Sequence, residues 1–310
     1  MGRNWAVDLV NTAVYLACFA FCASVAAAAP AEQRIALVIG NGAYQHTSPL
    51  ANPPNDARLV ARTLRAVGFE VIERIDVDQE AMKLAVRDFG DRLEKAGETG
   101  VGLFYYAGHG VQVGGNNYMV PVGADLRRES DVDIFAVGAS SVVGTMAFAR
   151  NRLNFVILDA CRNNPFARSF RSASRGLARM DAPRGTLIAY ATSPGDVAAD
   201  GTGANSPYSA ALVKAMRTPG LSAEAMFKSV RLSVIAATGE AQVPWEASSL
   251  TGDFYFSPGD AKPLAKTKPA PGAEPQGDGD REALFWRSIE DSTNPAVFDE
   301  FLKQFPDGTF

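Results

Sequence analysis

The chain has 310 residues, 47% hydrophobic and 21% charged, with a formal net charge of -4. That composition supplies one large core and excludes a disordered protein. The missing basic excess speaks against nucleic acid as a partner, and the missing long charge runs against an interaction tail.

The first residues read as a secretory signal, assigned to residues 1–29: Arg3 gives a weakly positive start, diluted by Asp8. An apolar run follows from Ala13 to Ala29, ending in small residues before Pro30 and Glu32. The expected location is periplasmic or secreted. An uncleaved membrane anchor is the alternative, and the shortness of the strongly apolar part favours cleavage. Cys18 and Cys22 lie inside this segment, and Tyr15 spoils a lipidation box before Cys18. Cleavage leaves Cys161 as the sole cysteine, so the mature chain has no intramolecular disulfide. A lone thiol in an oxidising compartment is either buried or used.

From Arg34 the pattern alternates between short apolar runs and helical stretches. Ile35–Ile39 predicts a strand buried on both faces. Asn55 is placed to cap a helix carrying Ala57, Val60, Leu64 and Val67, with Gly68 at its end. Phe69–Ile75 predicts a second strand, preceding a turn at Asp76 and Asp78. Met82, Ala85, Val86, Phe89 and Leu93 repeat at helical spacing. Further strands are predicted at Val101–Tyr106, Phe155–Leu158 and Thr186–Tyr190, and helices at Pro207–Met216 and Ala223–Ala237. Such alternation implies a mostly parallel sheet with helices on both faces, an α/β/α sandwich over residues 31–257. Residues 258–280, rich in Pro, Gly, Ala and Lys, read as a linker. In residues 281–310, Ala283, Trp286 and Ile289 line one predicted helix. Val297, Phe298, Phe301, Leu302 and Phe305 line another, a small hairpin suited to binding a further protein.

Open parallel sheets place their sites at the carboxyl ends of strands. One strand here runs out into Tyr105-Tyr106-Ala107-Gly108-His109-Gly110, another into Asp159-Ala160-Cys161-Arg162-Asn163. A thiol needs a base or a positive neighbour to become a thiolate near neutral pH, and the chain has two histidines, His46 and His109. The glycines flanking His109 allow close approach of a substrate, and the amides of Gly110 and Cys161 are placed to hold an oxyanion. Singly, each residue also fits a turn histidine or a buried cysteine. Their pairing at matching strand ends favours chemistry.

These motifs resemble the caspase-like cysteine peptidases, closest to the bacterial metacaspase-like branch. The resemblance runs from about Arg34 to Phe256. It rests on Arg34–Asn41, Pro54-Asn55-Asp56-Ala57, Gly68-Phe69, the His-Gly pair, Asn117-Tyr118-Met119-Val120-Pro121 and the Asp159-Ala160-Cys161-Arg162 motif. It implies a three-layer sandwich and a cysteine endopeptidase, with Cys161 as nucleophile, His109 as base and later acid, and Gly110 lending an oxyanion amide. Asp159 then supports the Cys161 turn by binding loop amides. In animal caspases the segment matching Tyr190–Asp200 supplies an arginine for a substrate aspartate. Here Asp200, with Asp196 nearby, takes that place, implying cleavage after Arg or Lys. Arg168, Arg171, Arg175 and Arg179 lie where this clan has a cleavable linker, which suggests self-cleavage.

Other signals carry less. Gly40-Asn41-Gly42 hints at a dinucleotide loop, but Gln45 stands in the third glycine's place. His46 has no ligand-spaced neighbours, so no metal or other cofactor is expected. Calcium activation occurs in some metacaspases, but no acidic run forms a calcium loop. The expected partners are protein or peptide substrates. Two other functions fit the same residues: a catalytically weak binding or scaffolding module on the same fold, and a Cys–His acyl transfer.

Overall fold

The computed structural model describes residues 31–160, 176–201, 203–259, 286, 298, 301–303, 305–306 and 308. The chain divides into two compact units, one up to Gly259 and one from Asp260 to Phe310. The segment assigned as a signal, Cys161, Arg168, Arg171, Arg175, most of the linker and most of the C-terminal hairpin lie outside the described residues.

In the first unit the strands β1 (Gln33–Gly40), β2 (Glu70–Ile75), β3 (Gly100–Gly108), β7 (Leu153–Ala160), β8 (Thr186–Tyr190) and β9 (Trp245–Ser248) form one sheet. Their order is β2-β1-β3-β7-β8-β9, parallel except for β9. Every residue of β3 and β7 is buried, which is why these central strands read as unbroken apolar runs.

Alternation along the strands serves two cores. Val38, Leu103, Tyr105, Phe155, Ile157 and Leu187 pack with helices α1 (Pro53–Ala66), α5 (Pro207–Met216) and α6 (Ala223–Ala237). Leu37, Ile39, Phe104, Tyr106, Val156 and Leu158 pack on the opposite face, against α2 (Gln79–Ala96) and α4 (Ala139–Phe148). The result is the three-layer α/β/α sandwich expected from the sequence.

The helix expected to be capped by Asn55 starts earlier. Pro53 and Pro54 occupy its first turn, where a missing N–H costs nothing, and Asn52 takes the cap position. Gly68 ends the helical segment with φ +87°, as anticipated. Asp76, at φ +51°, accepts from the amides of Gly42 (2.7 Å) and Ala43 (2.9 Å). Asp78 instead caps α2 by accepting from Ala81 N at 2.8 Å.

The sequence reading did not foresee a second, antiparallel sheet of β4 (Gly110–Val113), β5 (Asn116–Met119) and β6 (Val137–Gly138). It follows directly from the end of β3, with the short helix α3 (Asp131–Phe135) before β6. In the C-terminal unit, Trp286 lies edge-on to Phe298 (6.2 Å) and Phe301 (5.3 Å), and Phe301 packs on Phe305 at 5.3 Å. Among the described residues no helix is long and apolar enough to cross a membrane.

Candidate active site

Strand register decides what meets at the end of the sheet. β3 and β7 are hydrogen-bonded neighbours, with Ala107 opposite Asp159 and Gly108 opposite Ala160. The next residues in the chain are His109 and Cys161. Adjacent strands lie about 4.8 Å apart. The two motifs therefore leave the sheet side by side, although Cys161 itself lies outside the described residues. Gly110 confirms the close approach: a Cβ there would sit 3.0 Å from Ala160 Cβ and 3.1 Å from Leu177 Cδ2.

His109 is 3% exposed. Its Nε2 lies 2.9 Å from the carbonyl oxygen of Ser48. A carbonyl only accepts, so Nε2 is the protonated nitrogen, and in neutral imidazole Nδ1 then carries the lone pair. The loop 41–52 that supplies Ser48 is anchored by Asp76 and by Asn41. The Asn41 amide bridges Val77 (N–H to Oδ1, 3.0 Å) and the Val120 carbonyl (3.2 Å).

Asp159 faces the core that β7 shares with α5 and is fully buried. Its Oδ2 accepts from Ser206 Oγ (2.6 Å), Ser209 Oγ (2.8 Å) and Tyr105 Oη (3.3 Å). Among the described residues these partners are side-chain hydroxyls, not the loop amides expected from sequence, because the first turn of α5 lies over the strand end. Asp159 Oδ1 has no partner among the described residues. Tyr208, in the same turn, is also fully buried. Its phenol is held well above the ordinary value, first by burial and then by the charges of Asp159 and Glu246.

Asp56, whose role sequence reasoning missed, stands beside this group. It is fully buried in the first turn of α1, where a carboxylate favours the helix dipole. Its Oδ1 accepts from Asn205 Nδ2 (2.9 Å) and Ser206 N (3.0 Å). Ser206 thus joins two buried carboxylates, through its amide to Asp56 and its hydroxyl to Asp159. The available signal was its neighbour: Asp56 precedes Ala57 on the face that buries Val60 and Leu64. Asp200 is half-buried, and its carbonyl oxygen accepts from the side chain of Asn52, just before α1. Asp196 is exposed in a turn, its amide bonded to Ser193 O at 3.0 Å. Among the described residues no three His, Cys, Asp or Glu side chains are grouped for a metal ion.

Residues 33–255, from β1 to just beyond β9, match the family model described as the caspase domain. The chain belongs to the caspase-domain peptidase family. Over 133 residues it is 35% identical to the mucosa-associated lymphoid tissue lymphoma translocation protein 1 of Homo sapiens, and equally to its homolog in Mus musculus. The match covers 43% of this chain and 15% of each relative's length. The His-Gly and Asp159-Ala160-Cys161 motifs both fall inside the matched region.

Proposed function

We propose that the protein is a cysteine endopeptidase in which His109 and Cys161 form the dyad, cleaving after Arg or Lys. The observation that carries this reading is the β3–β7 register, which sets Gly108 against Ala160 immediately before the two residues. The Ser48 carbonyl, by holding the proton on Nε2, supports Nδ1 of His109 as the base.

In this reading His109 takes the Cys161 thiol proton, and the thiolate attacks the scissile carbonyl carbon. The oxyanion is held by the amides of Gly110 and Cys161. His109 returns the proton to the leaving amine as the C–N bond breaks, leaving a thioester. Water, deprotonated by His109, then attacks the thioester and releases the acid and the thiol.

The basic preference is supported most directly by the buried carboxylate of Asp159, with Asp56 joined to it through Ser206 and Asp200 tied by its backbone carbonyl to Asn52, just before α1. Asp159 Oδ1 is buried with no partner among the described residues, which is costly for a carboxylate, and a substrate guanidinium would match it. Asp196, being exposed, contributes less to such a pocket. The apolar run before Pro30 supports export of the chain.

The test is turnover of a fluorogenic peptide with Arg at the cleavage position by the full chain, beside Cys161→Ala and Asp159→Asn, with and without calcium. The expected result is cleavage by the unmodified chain, none by Cys161→Ala, and a loss of about 10- to 100-fold in kcat/KM for Asp159→Asn. Folded protein with a reduced thiol that cleaves no basic peptide in either condition would favour the binding-module function instead.

A further inference from the structure

The backbone of His109 is held by two tyrosines that the dyad mechanism does not use. Its amide donates to Tyr44 Oη at 2.7 Å. Its carbonyl accepts from Tyr106 Oη at 2.8 Å, and Val120 N reaches the same oxygen at 3.0 Å. The two hydroxyls are 3.3 Å apart. Their donor and acceptor roles follow from what surrounds them. The proton of Tyr106 points to carbonyls, those of His109 and of Val120 (3.1 Å), and carbonyls cannot donate back. Tyr44 therefore donates to Tyr106. The result is a closed cycle: His109 N–H to Tyr44, Tyr44 to Tyr106, Tyr106 to His109 C=O.

Tyr44 also touches the imidazole, with ring centroids 4.5 Å apart and planes tilted by 48°. It comes from the same loop, 41–52, that presents the Ser48 carbonyl to Nε2. Gly108 shows how closely the site is built around the cycle. Its φ is +152°, and a Cβ there would lie 2.5 Å from Tyr44 Oη and 2.7 Å from Tyr106 Oη.

We infer that Tyr44, acting with Tyr106, is a positioning residue: its hydroxyl fixes the His109 backbone so that Nε2 stays on the Ser48 carbonyl and Nδ1 stays directed to the reaction. This rests on the peptidase reading above for its consequence in catalysis. The geometric claim concerns His109 alone.

Tyr44→Phe in the full chain tests it, because the ring remains and only the hydroxyl is lost. Two histidines in the whole chain make the imidazole nitrogens separable by 15N NMR, with His46→Gln assigning His109. The unmodified chain should show the neutral His109 with its proton on Nε2. Tyr44→Phe should add the Nδ1–H tautomer. In peptide turnover the same variant should lose about 10- to 100-fold in kcat, with KM within about twofold. If Tyr44→Phe does not fold, Tyr106→Phe breaks the same cycle from its other side and is read by the same shifts. Nitrogen shifts that coincide with those of the unmodified chain overturn the positioning role, whatever the activity. An unmodified chain that shows the Nε2–H tautomer but cleaves nothing sinks the peptidase reading instead, and the variant's nitrogen shifts still decide the role of Tyr44.

Discussion

Gly108→Ala is the most severe single-methyl change that the site allows. Two effects add. A β-carbon at φ +152° is strained by about 1–3 kcal/mol. It would also displace the Tyr44 and Tyr106 hydroxyls from positions 2.5 and 2.7 Å away, breaking bonds to the buried amide and carbonyl of His109 at about 1–3 kcal/mol. The sum is about 2–6 kcal/mol. Gly68→Ala isolates the first effect, since Gly68 has φ +87° and open space within 4 Å. It should cost only about 1–2 kcal/mol. With a urea slope of about 2–3 kcal/mol per molar, the two midpoints should differ by about 1 M. Equilibrium urea unfolding followed by tryptophan fluorescence measures both. A Gly108→Ala midpoint within about 0.3 M of the Gly68→Ala midpoint would refute the steric argument, given ordinary extrapolation error.

Three other perturbations test separate parts of the structure. Tyr118 donates to Asp133, which with burial pushes its phenol up to about 12. Its contribution to stability is therefore present below the ordinary phenol range and lost as pH rises through about 12. The phenolate absorbance missing from Tyr118→Phe should be the portion that titrates near 12, and Asp133→Asn should move that portion down toward 10. Arg34→Lys should destabilise the first unit by about 1–3 kcal/mol in thermal or urea unfolding. The guanidinium donates to the carbonyls of Val67 (3.0 Å), Tyr255 (3.1 Å) and Phe256 (2.9 Å) and lies 4.7 Å from the Phe254 ring centre, a set one ammonium cannot reproduce. Asn117→Ala should cost about 2–4 kcal/mol in the same assay. The buried Asn117 amide exchanges two 2.7 Å hydrogen bonds with the backbone of Ala178, and both backbone groups would lose their partner.

Legibility in the sequence tracked burial. β3 and β7 are covered on both faces, so their runs of Val, Leu, Phe and Ile announced them. The helices α2, α5 and α6 showed one apolar stripe each, and Ser206 and Ser222 cap the last two. The small β4–β6 sheet gave a weaker signal. Its strands are two to four residues long and mix Gln, Asn and Tyr with Val. The turn itself was readable: Gly114 and Gly115, both at positive φ (56° and 81°), suit a two-residue hairpin. β9 escaped because an edge strand with partly exposed residues has no pattern to read.

At the site, the sequence located His109 through its glycines, but not what holds it. Tyr44 and Ser48 lie some sixty residues earlier, and the Ser48 contribution is a backbone carbonyl, which no side chain advertises. Asp56 was hidden for a related reason. An acid in the first turn of a helix is ordinarily a solvated, dipole-favourable residue, and only the return of Asn205 and Ser206 over it makes it a buried one.

The sheet order also governs what a break in the backbone would do. β7 and β8 are adjacent, paired at five positions from Asn154↔Thr186 to Leu158↔Tyr190, and residues 161–175 fall between them in the chain. A cut within that interval would separate β1, β3, β7, α1 and α2 from β8, β9, α5 and α6. Neither piece is self-sufficient: one core needs Phe155 and Leu103 from the first and Leu212, Met226 and Phe254 from the second. The ladder and the shared interior would keep the halves together without a peptide link. Such a nicked molecule would run as two bands under denaturing conditions and as one species in native chromatography, and its refolding after separation would be second order in fragment concentration.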